Sequence, residues 1–140
     1  MMRPDHLALG PAIVAQLKQQ ISDVRQIALR GEMSDVTSGE QISPSLYVIY
    51  VRDGVPSGSQ SMDGMNHIVQ QWMVVVAVQG SPDQLIAKAG QLLARVRDAM
   101  LGWTPDTALY DPLQAATPPA AMYLSDWGYF PLMFNADFYA

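Results

Sequence analysis

The chain has 140 residues, no cysteine and a formal net charge of −5, with 49% hydrophobic and only 15% charged residues. This length is enough to bury the core of one domain, and the lack of cysteine excludes disulfides, thiolate zinc sites and cysteine nucleophiles. No apolar run approaches the roughly 18 residues of a membrane helix, and the N-terminal residues lack the apolar core of a signal peptide, so we expect a cytoplasmic protein.

The basic residues are spread singly along the chain: Arg3, Lys18, Arg25, Arg30, Arg52, Lys88, Arg95 and Arg97. Binding to nucleic acid requires several neighbouring cations that neutralise phosphates, so this function is not expected. A surface that is short of charge is typical of a protein that hides part of itself against partners.

The first predicted element is a helix that begins at Gly10-Pro11, with proline at its first position, and ends near Ser22. Its apolar residues recur at helical spacing. The next segment, Val24 to Leu29, alternates like a short strand, although continuation of the helix is the alternative. A single helical turn is predicted around Met33 to Val36.

Two strands follow, Leu46 to Val51 and Ile68 to Val78, which we expect to pair in antiparallel fashion. The loop between them, Asp53 to Asn66, is rich in glycine, proline and serine, and loops of this length are usually functional or disordered. Both strands are apolar at nearly every position, which indicates that the sheet is covered on both faces.

The second long helix has a clear start, because Ser81, Pro82 and Gln84 form a capping box with proline at the first helical position. Gly102 is the predicted C-terminal cap, and Gly90 is expected to let the helix approach the sheet closely. A proline-rich passage follows without predicted structure. Two short strands end the chain, Ala121 to Leu124 and Tyr129 to Phe134, joined by a turn at Ser125 to Gly128.

These elements predict a single domain over residues 1–140 with an α+β fold, in which a mixed, mainly antiparallel sheet of four to five strands carries two main helices on one face. Helices pack about 8–10 Å apart and strands about 4.8 Å apart, so two helices cover about one face of such a sheet. We therefore predict that the open face, or an edge, packs against another subunit.

The sequence offers no catalytic constellation, and we predict that the protein is not an enzyme. It contains neither a glycine-rich phosphate loop nor a nucleophile elbow. His6 and His67 are the only histidines, and the possible partners Asp63 and His67 are too few for a metal site. No cofactor and no metal are expected.

The candidate interface rests on loop residues, strand ends and one tryptophan. Trp127 lies in the predicted turn and is the best candidate for an exposed aromatic anchor, whereas Trp72 and Trp103 are expected in the core. Arg30 and Arg52 end strands, where they are either partners across a subunit boundary or solvated charges. The full set is Arg30, Arg52, Asp53, Pro56, Met62, Met65 and Trp127.

The order of features along the chain resembles the bacteriophage tail terminators, also called tail completion or minor tail proteins, including those of Mu-like phages. The resemblance rests on Pro11 to Leu17, Val24 to Gly31, Pro44 to Val51, Gln71 to Val76, Met100 to Pro105 and Tyr129 to Phe134. The segment Leu101-Gly102-Trp103-Thr104-Pro105, which follows the long helix, is the most specific part.

The resemblance implies a structural virion protein, assembled in the bacterial host cytoplasm, with an α/β sheet and helices on one side. It implies a homo-oligomeric ring, typically a hexamer, that caps the head-proximal end of the tail tube, stops its polymerisation and presents a surface to the head–tail connector. The implied partners are further copies of the chain, the tube protein and the connector protein. Two other interpretations stay open: another phage neck or head–tail adaptor, and a small ligand-binding α+β domain.

Overall fold

The computed structural model describes residues 6–38, 42–56, 67–105 and 110–139. Within them the chain forms three helices and six strands. In chain order these are α1 (Leu9–Gln20), β1 (Gln26–Arg30), α2 (Met33–Ser38), β2 (Ser45–Gly54), β3 (His67–Gln79), α3 (Pro82–Met100), β4 (Gln114–Ala116), β5 (Met122–Leu124) and β6 (Trp127–Tyr139).

The strands form one mixed sheet in the order β1-β2-β3-β6-β4, and β5 also pairs with β6. Strand β1 runs parallel to β2, whereas the remaining pairs are antiparallel. The predicted α+β class with a mixed, mainly antiparallel sheet is therefore confirmed. The strand number is corrected from four or five to six, because β4 is a three-residue strand within the proline-rich passage and is too short to leave a periodic pattern.

Helix α1 differs from its prediction at both ends. It begins at Leu9 and ends at Gln20, because Ile21 already has an extended backbone. Gly10 does not start the helix but lies in a crowded place, where a Cβ atom would stand 3.0 Å from side-chain atoms of Leu29 and Trp72. The segment after it forms β1, so the strand interpretation was right and the helix continuation was wrong.

Helix α3 begins as predicted, with Pro82 at its first position and the Gln84 Oε1 atom accepting a hydrogen bond from the Ser81 backbone N–H at 3.0 Å. Just beyond the other end, Gly102 has a φ of +77°, which a side-chain-free residue adopts readily. The prediction for Gly90 was wrong, because a Cβ atom there would meet nothing within 4 Å.

The central strands are apolar on both faces because each face packs in its own buried cluster. Successive strand residues point to opposite faces, and the larger cluster takes one alternate set. It combines buried residues of α1 and α3 with strand residues, including Ile13, Leu17, Leu92, Val96, Leu46, Val48, Trp72, Val74, Val76 and Phe134.

The smaller cluster takes the other alternate set, namely Tyr47, Ile49, Met73, Val75, Ala77, Tyr129 and Met133, together with Val36 of α2. Tyr47, Ile49 and Val75 are at most 3% exposed in the single chain. The prediction of an open sheet face is therefore wrong at these positions. A short helix that the sequence showed only as one turn, α2, contributes to this cluster through Val36 and Met33.

The last strand is longer than predicted. Only Ser125 and Asp126 form the turn, and β6 then pairs with β3 along its whole length, from Trp127 opposite Gln79 to Tyr139 opposite His67. This pairing makes β2, β3 and β6 the centre of the sheet. It leaves β1 at one edge and β4 with β5 at the other.

Candidate assembly surfaces

The two edges of the sheet carry exposed apolar residues. Strand β1 pairs only with β2 and strand β5 only with β6 among the described residues. An edge strand leaves backbone N–H and C=O groups free to pair with another chain. The side chains around these edges determine the shape and polarity that a chain bound there would have to match.

The β1-edge patch consists of Leu7 and Leu29 beside the start of α1. Leu7 and Leu29 are each 44% exposed. They line a groove of about 290 Å³ with Gly10, Pro11, Arg30, Gly31, Tyr50 and Trp72. The Arg30 guanidinium carbon lies 5.0 Å from the centre of the Tyr47 ring, and its Nη1 donates to the Leu29 carbonyl at 2.8 Å.

The β5-edge patch consists of Ile86, Tyr123, Leu124 and Asp126. Ile86 is 65% exposed and Tyr123 56%, and all three residues of β5 are exposed. A groove of about 660 Å³ runs between β5 and the start of α3, and it is lined by Gly80, Ser81, Pro82, Leu85, Ile86, Tyr123, Ser125 and Asp126. The Tyr123 ring packs edge-on against Phe130, with the ring centres 5.6 Å apart.

Asp126 is the charged residue of this second groove. Its Oδ2 accepts a hydrogen bond from Gln79 Nε2 at 2.7 Å, and its carbonyl accepts one from the Gly80 N–H at 2.9 Å. The turn is therefore held in place beside the groove through both the carboxylate and the backbone of Asp126. The Arg30 guanidinium, in contrast, lies over Tyr47 of the smaller cluster, on the other face of the sheet from the groove that Leu29 and Trp72 line.

A third group of residues lies at the end of the sheet where β2 ends. Asp53 accepts hydrogen bonds from His6 Nε2 at 2.6 Å and from the Tyr50 hydroxyl at 2.8 Å. Burial alone would raise the pKa of Asp53, but the hydrogen bonds from His6 and Tyr50 outweigh it and lower the pKa below its ordinary value. Burial and the neighbouring Asp53 raise the pKa of Tyr50.

Gln70 connects this group to the core. It is fully buried, donates through Nε2 to the His6 carbonyl at 2.8 Å, and accepts from the Trp72 indole N–H at 3.0 Å. Both ends of the amide are therefore used, as a buried polar side chain requires. The N-terminal segment is in this way fastened to the centre of the sheet.

The second histidine lies at the same end. His67 Nε2 is 3.1 Å from Asp137 Oδ1, and the His67 ring stacks on Tyr139 with centres 5.1 Å apart. The Tyr139 hydroxyl donates to Asp111 at 3.1 Å, and this bond raises the pKa of Tyr139. Each histidine thus faces one aspartate, and in the part of the chain that the structure describes no three potential metal ligands come together.

Of the five predicted interface residues that the structure describes, three lie together at one end of the sheet, and Arg30 and Trp127 lie apart from them. Arg52, Asp53 and Pro56 lie at the end of β2, whereas Arg30 ends the parallel neighbour β1 opposite Ile49. Trp127 lies at the opposite end, opposite Gln79. Met62 and Met65, with the rest of residues 57–66, lie outside the described residues.

The prediction that Trp127 lies in a turn was wrong, while its role as an interface anchor stays a prediction. The residue belongs to β6, is partly buried against the smaller cluster, and its ring is near-parallel to that of Tyr129 with centres 6.2 Å apart. The turn that precedes it has only two residues, so the indole falls on a strand and points to the sheet face.

The exposure of Leu29, Ile86 and Tyr123 was not predicted from the sequence. Ile86 carried a signal, because it stands beside the apolar stripe of α3 rather than in it. Leu29 and Tyr123 sit in short strands with ordinary alternation, and only the sheet order shows that these strands are edges.

The sequence and the fold were compared with those of known proteins. A family model described as phage tail terminator protein matches residues 2–140. Among solved structures, a chain of the virion of a native gene transfer agent particle is similar in fold, with a TM-score of 0.58 and 15% sequence identity over 96% of this chain and 99% of that chain. No curated protein matches the sequence.

The family match covers nearly the whole chain, but it does not distinguish between types of tail terminator. The assignment to the Mu-like type therefore stays a prediction. None of the helices in the described ranges is long and apolar enough to cross a membrane.

Proposed function

The chain belongs to the phage tail terminator family, whose members are structural proteins of the tail, and from this we propose that its copies form a ring at the head-proximal end of a tail tube. The ring, expected to hold six subunits, stops polymerisation of the tube and provides the surface on which the head joins the tail. The observation that carries this proposal is the family match over residues 2–140.

The partners in this proposal are proteins: other copies of the chain, the tube protein and the head–tail connector protein. The net charge of −5 and the scattered basic residues speak against binding to DNA phosphates. Assembly takes place in the bacterial host cytoplasm, and the completed protein stays in the virion.

The role proposed is structural rather than catalytic. A candidate general base needs a reacting group within hydrogen-bond reach, and the partners seen for the two histidines are single carboxylates, those of Asp53 and Asp137. Asp53, Tyr50 and Gln70 together fasten the segment around His6 to the sheet. Such contacts make the subunit rigid, as a protein that presents fixed surfaces to its neighbours requires.

A ring requires two different surfaces on each subunit that match each other, because cyclic assemblies with more than two members close through head-to-tail contacts. The exposed apolar residues at two opposite sheet edges supply two such surfaces. An enzyme of this size would instead concentrate its apolar and polar groups in one pocket.

The experiment that tests the proposal is electron microscopy of tails made by the phage that encodes this protein, after deletion of the gene and after its reintroduction. We expect overlong tails without heads from the deletion, and normal lengths once the gene is restored. Tails of normal length that fail to join heads would place the protein among the neck adaptors. Normal, infectious particles would contradict both roles.

A further inference from the structure

We propose that the β6 side of the sheet is built to resist the addition of a further strand, so that the backbone ladder of one copy ends within that copy. Strand β6 has 13 residues and pairs with β3 along all of them. The free side of so long a strand would accept almost any extended chain, and folded proteins prevent such pairing with very short edge strands and with proline. Both features are present at this edge.

The outer side of β6 is covered by two short pieces instead of one continuous strand. Strand β4 pairs with residues 133–135 and β5 with residues 127–129, three residues in each case. In the described part of the chain, residues 130–132 have no strand partner on this side. A chain that arrives from outside therefore meets two edges that are too short to align it.

Pro131 lies at the centre of this gap, where it stands opposite Val75 of β3. A proline has no N–H group to donate to a ladder, and within sheets it is confined to edges, strand starts and bulges. The flanking residues Phe130 and Leu132 pack against the larger cluster. The core therefore holds β6 in place at this point, although no described strand covers its outer side.

The connection between β4 and β5 repeats the use of proline. Residues 117–121 are exposed throughout and include Pro118 and Pro119. Both prolines lack a backbone donor, so neither can contribute an N–H to a ladder. The connection is therefore unsuited to close the gap as a third piece of strand, and it offers no continuous new edge in its place.

An edge of this kind determines how a neighbouring copy contacts this side of the sheet. The groups that it presents are the side chains of Met122, Tyr123 and Leu124, which are 38%, 56% and 46% exposed. In the proposed ring, contact with the β5-edge patch then comes from side chains, and the sheets of adjacent copies stay separate. This consequence rests on the proposed ring, whereas the resistance to strand addition is a property of the single chain.

Restoring the missing donors tests the proposal. A purified variant with Pro118→Thr, Pro119→Thr and Pro131→Val carries residues that favour strands at all three positions. We expect it to form larger species as its concentration rises, measured by analytical ultracentrifugation, together with a rise in thioflavin fluorescence that reports added β-ladders. The native protein should give no such rise in fluorescence at the same concentrations.

The matched control keeps the three prolines. Ala120→Thr, Ala121→Thr and Leu132→Val together raise the strand propensity of the same two segments, and this variant should behave like the native protein. Equal fluorescence from the two triple variants, whether high or absent, would overturn the proposal.

A second variant keeps the test decisive if the first one has lost its cooperative thermal unfolding. Pro118→Thr with Pro119→Thr changes exposed positions alone, and its fluorescence should rise above that of the control. No rise in a double variant that unfolds like the native protein would contradict the proposal. Tail length after gene deletion tests the terminator role separately, so failure of the one is distinguishable from failure of the other.

Discussion

The centre of the sheet and its edges use apolar residues in opposite ways. Strands β2 and β3 bury both alternate sets of side chains, one in the cluster with α1 and α3 and the other in the cluster with α2. Strands β1 and β5 keep Leu29, Tyr123 and Leu124 exposed. The difference teaches that the hydrophobicity of this chain serves two purposes, folding at the centre and, as we propose, assembly at the edges.

The largest effect is expected for a truncation at the centre. Phe134 is 2% exposed and packs in the larger cluster, so Phe134→Ala should lower the free energy of unfolding by about 3–5 kcal/mol through lost burial and the cavity left behind. Chemical denaturation of the purified protein measures this. Tyr123→Ala, which removes an aromatic ring at the edge, is the matched control and should cost far less.

A smaller effect is expected where the centre meets the N-terminal segment. Gln70→Leu leaves the Trp72 indole N–H and the His6 carbonyl without the amide that satisfies them, and should cost roughly 1–3 kcal/mol. Gln71→Leu is the control, because Gln71 is only half-buried and bonds to Asn135 at 3.2 Å. Equal losses in the two variants would show that the buried amide has no special role.

The carboxylate at the end of β2 makes stability depend on pH. The folded pKa of Asp53 lies below its unfolded value, so its contribution is present above about pH 4 and is lost as the pH falls through the lower, folded pKa. Asp53→Asn should therefore cost roughly 1 kcal/mol at neutral pH and less at acid pH. Denaturation curves at several pH values below neutrality measure the difference.

Asp23→Asn is the matched control for Asp53→Asn. The hydrogen bond from Arg95 also lowers the pKa of Asp23, yet this pair is open to solvent. Its effect should shrink when salt is added, because ions screen exposed charges. A pH-independent loss in Asp53→Asn would contradict the account of that site.

The sequence was sufficient to predict the elements whose signals are local. The capping box at Ser81 and Gln84, the paired central strands and the glycine after α3 are set by neighbouring residues, and the structure has all of them. The strand order, the role of α2 and the buried second face depend on residues that are distant in sequence. For the same reason Trp127 was placed in a turn, since nothing local shows how far β6 pairs with β3.

The candidate assembly surfaces were predicted less well than the fold. The sequence identified polar residues at strand ends, and the structure places Arg30 at the end of the edge strand β1. Exposure of Leu29 or Tyr123 follows from the sheet order alone, because a strand becomes an edge only when the remaining strands have paired. A surface of this kind is therefore visible only in the folded chain.

The smallest effect on folding is expected at Ile86, which is 65% exposed on the surface of α3. Ile86→Asp should change the free energy of unfolding by no more than about 0.5 kcal/mol, as is usual for exposed positions. Denaturation beside the native protein measures this, and Ile86→Leu, which keeps an apolar side chain, serves as the control in both folding and assembly.

The length of tails made with Ile86→Asp in place of the native protein tests the central claim most directly, because this variant separates folding from assembly. We predict tails as overlong as those of the gene deletion, from a protein that unfolds like the native one, while Ile86→Leu gives normal lengths. Tails of normal length with Ile86→Asp would contradict the claim that the sheet edges build the ring.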